Sequence, residues 1–565
     1  MCFESESPMV RNRGSAPTLE DLARARFGAL TAAEVTLVQR TPAEEIAECS
    51  VSRNPNDPAD PANDPANAGS WDPAQSVRPD LIRWLCTDVQ ARANLAPKGI
   101  RIRTAVIRER LDLSIASIPV PLQFLNCGFL KEVDFSGASI RALTLTGSEA
   151  LEIRADALTV AMNFVLDRGF RASEVRLVGA EIGGELRCSG GLFVSRQGGA
   201  LTADNAVVKG DVLFNGGFVA CGEVRLLDVE IGRQLNCSGG RFLNRRGDAL
   251  SADGAVVHGD VFLDAGFVSH GQVRLPGAEI RGQVYCSGGR FLNRQKNALS
   301  ADRAVIKGSV FLDEGFRTDG VARMVGAEIG GQLSCVGGRF LNRNGSALVA
   351  SGAVINSHVF LDGFRAYGEV QLSGAEIRGQ LSCRGGRLLN RKGHALVADR
   401  AVIKGDVFLD GGFRAYGDVR LLGAEIRGGL YLTIGYGYEP LRALCWIVGF
   451  VIFGLSYRGG LLAPSDSNRS GPFCAAVYSV NTFVPLIDLG QRDHWIPRSA
   501  PAAHPADSWA GPLGRLLCDA AIVDVLPRSW MPSATFLSFF RWSYILFGWF
   551  FTTIFVAGVT GLVRR

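Results

Sequence analysis

Cys237–Tyr285 reads CSGGRFLNRRGDALSADGAVVHGDVFLDAGFVSHGQVRLPGAEIRGQVY, and the next residue, Cys286, begins the same text again. Cys188, Cys237, Cys286 and Cys335 stand 49 positions apart, and Cys383 follows after 48. A fixed period of this length marks a repeat architecture rather than one globular core. Within a unit the apolar residues alternate over only three positions, as in Val261-Phe-Leu263, Val273-Arg-Leu275, Ala278-Glu-Ile280 and Val284-Tyr-Cys286, with Gly and Asp between them. Such punctuation predicts very short strands joined by tight turns.

The winding follows from perimeter. Laid out as one rung at about 3.3 Å per residue, a 49-residue unit would enclose a circuit of roughly 160 Å, too wide for side chains to fill. Two rungs of about 24 residues halve the circuit to roughly 80 Å, which side chains can pack. The expected fold is therefore mainly β, a β-helix solenoid of about 13 or 14 rungs between residues 99 and 433, stacked at about 4.8 Å. In this reading GGRFLNRxG is a loop or widened corner repeated on one side.

The bulk numbers agree. A chain of 565 residues with 68 Gly and 47% hydrophobic residues suits strands and turns better than helices. A net charge of only +5 does not argue for a nucleic-acid partner. None of the 13 Cys forms a CxxC pair, and five share one repeat position, which fits buried thiols in a reducing compartment. MCFESESPMVRNRG lacks an apolar core, so no signal peptide is expected.

Outside the array the chain divides as follows. Residues 1–52 read as a polar, disordered start followed by short helices, with capping boxes at Thr31-Ala-Ala-Glu34 and Thr41-Pro-Ala-Glu44. Residues 53–77, rich in Pro and Asp, read as a linker. Residues 78–98 read as a capping helix, Leu81, Ile82, Trp84 and Leu85 covering the open first rung. Residues 434–565 read as a membrane domain with transmembrane helices near 441–457 and 542–563 and an apolar segment, Phe473–Leu489, broken by Asn481 and Pro485 between them. Trp542, Tyr544 and Trp549 are aromatic anchors for the second span, and Arg564-Arg565 beyond it places the C-terminus in the cytoplasm. With two spans, the repeat domain of this multi-pass protein of the cytoplasmic membrane is cytoplasmic too.

Taken together, GAEIRGQL, ADRAVIKGDVFLD, WDPAQSVRPDLIRWL and the ending YGYEPLRAL…VYSVNTFVPLIDLGQRDHW…GWFFTTIFVAGVTGLVRR resemble bacterial membrane-anchored pentapeptide-like repeat proteins. The resemblance covers most of residues 71–565 and is most specific at the C-terminal end. It implies a membrane-anchored β-helix. Some proteins of that layout carry the label membrane-associated oxidoreductase, with no motif that transfers to this chain.

No catalytic, cofactor-binding or metal-ligating set is expected. The Cys series, two rungs or roughly 10 Å apart, is beyond disulfide reach and reads as core packing. His258, His270, His358, His394, His494 and His504 form no ligand spacing, and no GxGxxG, Walker A or GxSxG lies in context. The candidate partner-binding residues are the repeated corner: Arg241, Asn244, Arg245; Arg290, Asn293, Arg294; Arg339, Asn342, Arg343; Arg387, Asn390, Arg391. Guanidinium groups repeated along a solenoid can hold an acidic partner or lipid headgroups. Asp253, Asp264, Asp302 and Asp313 recur as well, so pairing within the chain competes with that use.

The expected function is a non-enzymatic scaffold, anchored in the lipid bilayer, that binds an unidentified protein partner and can self-associate. Two alternatives stand beside it: a regulatory domain on an oligomeric two-helix pore, and an oxidoreductase by resemblance alone.

Overall fold

In the computed structural model of the chain, the described residues are 17–54, 57, 60–432, 447, 462–464, 475–483, 495–497 and 534–560. The chain forms two compact units, Met1–Leu430 and Tyr431–Arg565.

Three parallel sheets make the first unit. Two have 16 strands and the third has 14. Successive rungs stay in register on the first face, where Leu235 pairs with Val261, Val261 with Val284, Val284 with Val310 and Val310 with Leu333. Long rungs thus alternate with short ones, and each 49-residue unit is two rungs, as its perimeter requires. The solenoid has about 14 turns.

The difference between the rungs lies on the second face. There long rungs carry 11-residue strands such as Arg241–Ser251 and Arg290–Ser300, and short rungs carry seven-residue strands such as Val268–Arg274 and Arg317–Arg323. The extra residues have no partner on the short strand and must bulge outward. The first and third faces keep mostly two-residue strands, typified by Val261–Phe262 and Glu279–Ile280. In the opening rungs the second face is split. The strand Glu149–Arg154 pairs at its start with Gly128–Phe129 and at its end with Val133–Asp134, so two short sides merge into one.

The core is a set of ladders. Cys188, Cys237, Cys286, Cys335 and Cys383 are all buried, and they alternate with Phe214, Leu263, Leu312, Leu361 and Leu409 on the intervening rungs. A second ladder is aromatic, running Phe193, Phe218, Phe242, Phe267, Phe291, Phe316, Phe340 and Phe364, with neighbouring ring centroids 4.7–5.3 Å apart.

The N-terminal end is covered, as an open solenoid requires. Helices α1 (Leu19–Phe27) and α2 (Ala32–Arg40) start on capping boxes from Thr18 and Thr31. The Thr41–Glu44 sequence, read as a capping box, forms a turn, and the chain goes straight into a strand, Ala47–Glu48, that extends the first face by pairing with Ile100–Arg103. Helix α3 (Pro79–Thr87) buries Leu81, Ile82, Trp84 and Leu85 as expected, and α4 (Val89–Ala93) follows. Glu34 is fully buried and bound by Arg78, whose guanidinium also donates to the carbonyls of Phe27 and Ala29.

The Pro/Asp tract differs from its reading as a free linker. Ala68, Trp71, Gln75 and Val77 are buried, and Trp71 Nε1 donates to the Pro61 carbonyl at 2.8 Å. One tryptophan with a satisfied N–H is enough to dock a tract that has little else to bury. The expected disordered start falls on residues 1–16, outside the described set.

In the second unit, α5 (Ala475–Phe483) lies inside the segment read as broken, and α6 (Ala534–Thr560) spans 27 residues. They touch closely: the hydroxyls of Ser479 and Tyr544 are 2.8 Å apart, and a Cβ on Gly548 would lie 1.8 Å from the Phe483 carbonyl. Strands Leu462–Pro464 and Trp495–Pro497 pair antiparallel. The expected span 441–457 lies outside the described residues apart from Ile447. The expected span 542–563 begins within α6. Among the described residues no helix is long and apolar enough to cross a membrane.

Candidate interaction surface

The long strands of the second face carry all twelve corner residues, and the structure gives them three different places. Asn244 turns back on its own bulge and donates to the Asp248 carbonyl at 2.7 Å. Asn293, Asn342 and Asn390 do the same to Asn297, Ser346 and His394, at 2.6, 2.8 and 2.7 Å. The amide closes a loop four residues long, so the asparagines hold the corner's shape.

The bulge rests on glycine. Gly271, Gly320, Gly368 and Gly417 face it from the next rung, and a Cβ on Gly271 would lie 2.4 and 2.5 Å from the carbonyls of Asn244 and Gly247. With φ at +128° as well, no other residue fits there.

At the bulge tips, three of the four second arginines lean on the following short rung. Arg294 pairs with Asp319 at 3.0 Å, Arg343 lies over Tyr367 at 5.7 Å and Arg391 over Tyr416 at 6.0 Å. Burial, and then the charges of Arg245, Arg290 and Arg241, hold His270 below the usual histidine range, so it is a neutral ring among cations.

The first arginines behave otherwise. Arg241 and Arg290 are exposed at one register position, with Val268 between them. From Arg290 onward no rung interrupts the series: Arg290 pairs with Arg317, Arg317 with Arg339, Arg339 with Arg365, Arg365 with Arg387 and Arg387 with Arg414. All six are exposed. Three of them, Arg317, Arg365 and Arg414, were absent from the sequence-based set. They follow GF, whereas the others follow GG, and only the register shows that the two settings coincide.

The recurring aspartates serve other residues. Asp302 takes Arg323 at 2.5 Å and Asp399 takes Arg420 at 2.5 Å, while Asp253 is bound by Arg274 and Asp204 by Arg225. Where the aspartate position becomes Ser351, the arginine position becomes Gln371, which marks the pair as a unit. Asp264 and Asp313 accept from the hydroxyls of Ser238 and Ser287 at 2.6 and 2.5 Å. None of these carboxylates meets the arginine file.

Chemistry elsewhere is sparse. Burial pushes the thiols of Cys188, Cys237, Cys286, Cys335 and Cys383 far above the usual range. His258 lies 3.4 Å from Glu230, His358 Nδ1 accepts from Gln380 N–H at 3.1 Å, and His394 contacts Arg420 and Asp418. His494 and His504 lie outside the described residues. Among the described residues no cluster of His, Cys, Asp and Glu is arranged to hold a metal ion. Among the open depressions of the described surface, one is lined by Arg108, Arg110, Glu132 and Glu152, and another by Asn297, Val321, Ser346 and Gln371 beside the bulges.

No protein-family model, curated protein or solved structure matches this chain.

Proposed function

We propose that the chain is a non-enzymatic scaffold anchored in the cytoplasmic membrane by its C-terminal part, whose β-solenoid docks a partner protein on the cytoplasmic side. One observation carries the docking half of this reading: six exposed arginines, Arg290 to Arg414, stand in file on a parallel sheet, and among the described residues no carboxylate is paired to them. Like charges stacked at about 4.8 Å repel one another, so the arrangement costs stability unless an acidic partner offsets it. The anchoring half is supported by α6, which exposes Phe539, Trp542, Leu546, Phe547, Trp549 and Phe550, and by the resemblance to bacterial membrane-anchored pentapeptide-like repeat proteins.

Affinity capture with the detergent-solubilised full chain tests the docking half. A defined protein should be recovered, and lost when Arg317, Arg365 and Arg414 are changed to Gln. Recovery that is indifferent to those changes, or no recovery, ends the proposal. Extraction of cell membranes at alkaline pH tests the anchor, and release of the chain into the soluble fraction would refute it.

A further inference from the structure

Resting on that reading, we infer that the second face recognises an extended peptide whose side chains alternate between acidic and apolar. The arginine file runs parallel to the solenoid axis over five rung steps, about 24 Å, which is the length of about seven residues of extended peptide. Beside it, two residues further along each strand, the outward row reads Leu292, Asp319, Leu341, Tyr367, Leu389 and Tyr416. Its one carboxylate is held by Arg294, and Arg343 and Arg391 lie over the two tyrosines, so the half-buried leucines are the apolar part of the row. The face therefore offers a basic file next to an apolar strip, closed on the far side by the ridge of bulges.

An extended peptide presents alternate side chains to opposite edges. Laid along the boundary, one edge sets carboxylates against the guanidinium groups and the other lays apolar side chains on Leu292, Leu341 and Leu389. Other polyanions match less of this surface. A chain of phosphates has nothing to place on the apolar strip. A nucleic acid would want stacking platforms, and most of the strip is leucine or aspartate. An anionic bilayer would lie over the whole face, including Glu369 and Asp418 beyond the bulges, which it would repel.

The test uses the full chain in detergent and a dye-labelled peptide of glutamates with leucine at every second position, followed by fluorescence anisotropy. Binding at low salt should weaken steadily as salt is raised. Changing Arg317, Arg365 and Arg414 to Gln should weaken it by about tenfold or more. Removing three charges from the third face, by Lys209→Gln, Arg281→Gln and Lys307→Gln, should change it less than about twofold. With the unaltered protein, a peptide carrying serine in place of leucine should bind at least about fivefold more weakly. Because this last arm needs no variant, it decides the matter even if the triple substitution disturbs folding. The inference is overturned if the peptide does not bind, if serine and leucine peptides bind alike, or if inorganic polyphosphate, an oligodeoxynucleotide or phosphatidylserine vesicles displace it at equal charge. Should the peptide fail while affinity capture still returns a partner that depends on the arginine file, only the peptide class is wrong and the scaffold reading stands.

Discussion

The ring of Phe242 lies 5.3 Å from that of Phe267, although the two residues leave the backbone on opposite sides of the arginine position: Phe242 follows Arg241, and Phe267 precedes Val268. One aromatic ladder is thus fed from two places. On long rungs a glycine stands where the short rung has its phenylalanine, and the ring from two residues on swings back into the vacated volume. A Cβ on Gly240 would lie 2.9 Å from the edge of the Phe242 ring and 2.7 Å from the Phe214 carbonyl.

Gly289 is the equivalent in the next unit, 2.6 Å from the Leu263 carbonyl by the same measure. Gly289→Ala should therefore destabilise its own and adjoining rungs by about 1–3 kcal/mol, the range of overpacked cores. Because a repeat touches only its neighbours, the effect should be local. Hydrogen exchange should accelerate between residues 263 and 316 and stay unchanged in the cap. Unaltered protection around Gly289 would show that the ladder does not need the vacancy.

The bulges depend on their asparagines. Asn293→Ala removes the amide that binds the Asn297 carbonyl at 2.6 Å, at a cost of about 1 kcal/mol. Released at both ends of that loop, Arg294–Asn297 should be nicked by trypsin sooner than the three bulges left intact. Gly320→Ala should act on the same bulge from below, since its Cβ would press on the Asn293 and Lys296 carbonyls. Equal cleavage at all four bulges would remove the clamp from the account.

Thiol chemistry separates core packing from reactivity. Burial raises the Cys86 and Cys127 thiols to about 12 and pushes the five repeat thiols higher still. In the folded protein they should resist alkylation even at pH 9, where a free thiol is largely ionised. Half-buried Cys221 should be labelled first among the described cysteines, and mass spectrometry of the peptides distinguishes them. Rapid native labelling of Cys286 would contradict the buried ladder.

The cap carries a pH dependence of definite sign. Burial tends to raise the Glu34 carboxyl, but Arg78 and the N–H groups of Thr31 and Arg78 outweigh it and hold the group below the usual range. Its contribution is then present above the unfolded value, about 4.3, and is lost as pH falls through the lower folded value. Glu34→Gln should destabilise the cap by about 2–3 kcal/mol at pH 7, less than a wholly buried pair because Arg78 is part exposed. That difference should shrink as pH drops through about 4. Thermal unfolding across pH measures it, and a variant with an unchanged profile would show that Arg78 is anchored by the Phe27 and Ala29 carbonyls alone.

Much of this was written in the chain. The 49-residue period and the three-residue apolar alternation determine a parallel solenoid of two rungs per unit, because a wider coil could not be filled. The cysteine spacing determines that those thiols are core, and the apolar face of residues 79–87 determines a cap. Tertiary structure alone decided what the corner does. The asparagines and first arginines share one motif, GGRFLNR, and nothing in its order says that one folds inward onto its loop while the other stands free. That depends on the bulge, which exists only because an 11-residue strand lies against a seven-residue one. The arginine file was hidden for a related reason: GGR and GFR differ in where phenylalanine falls, and they coincide only once both rings are packed into a single ladder.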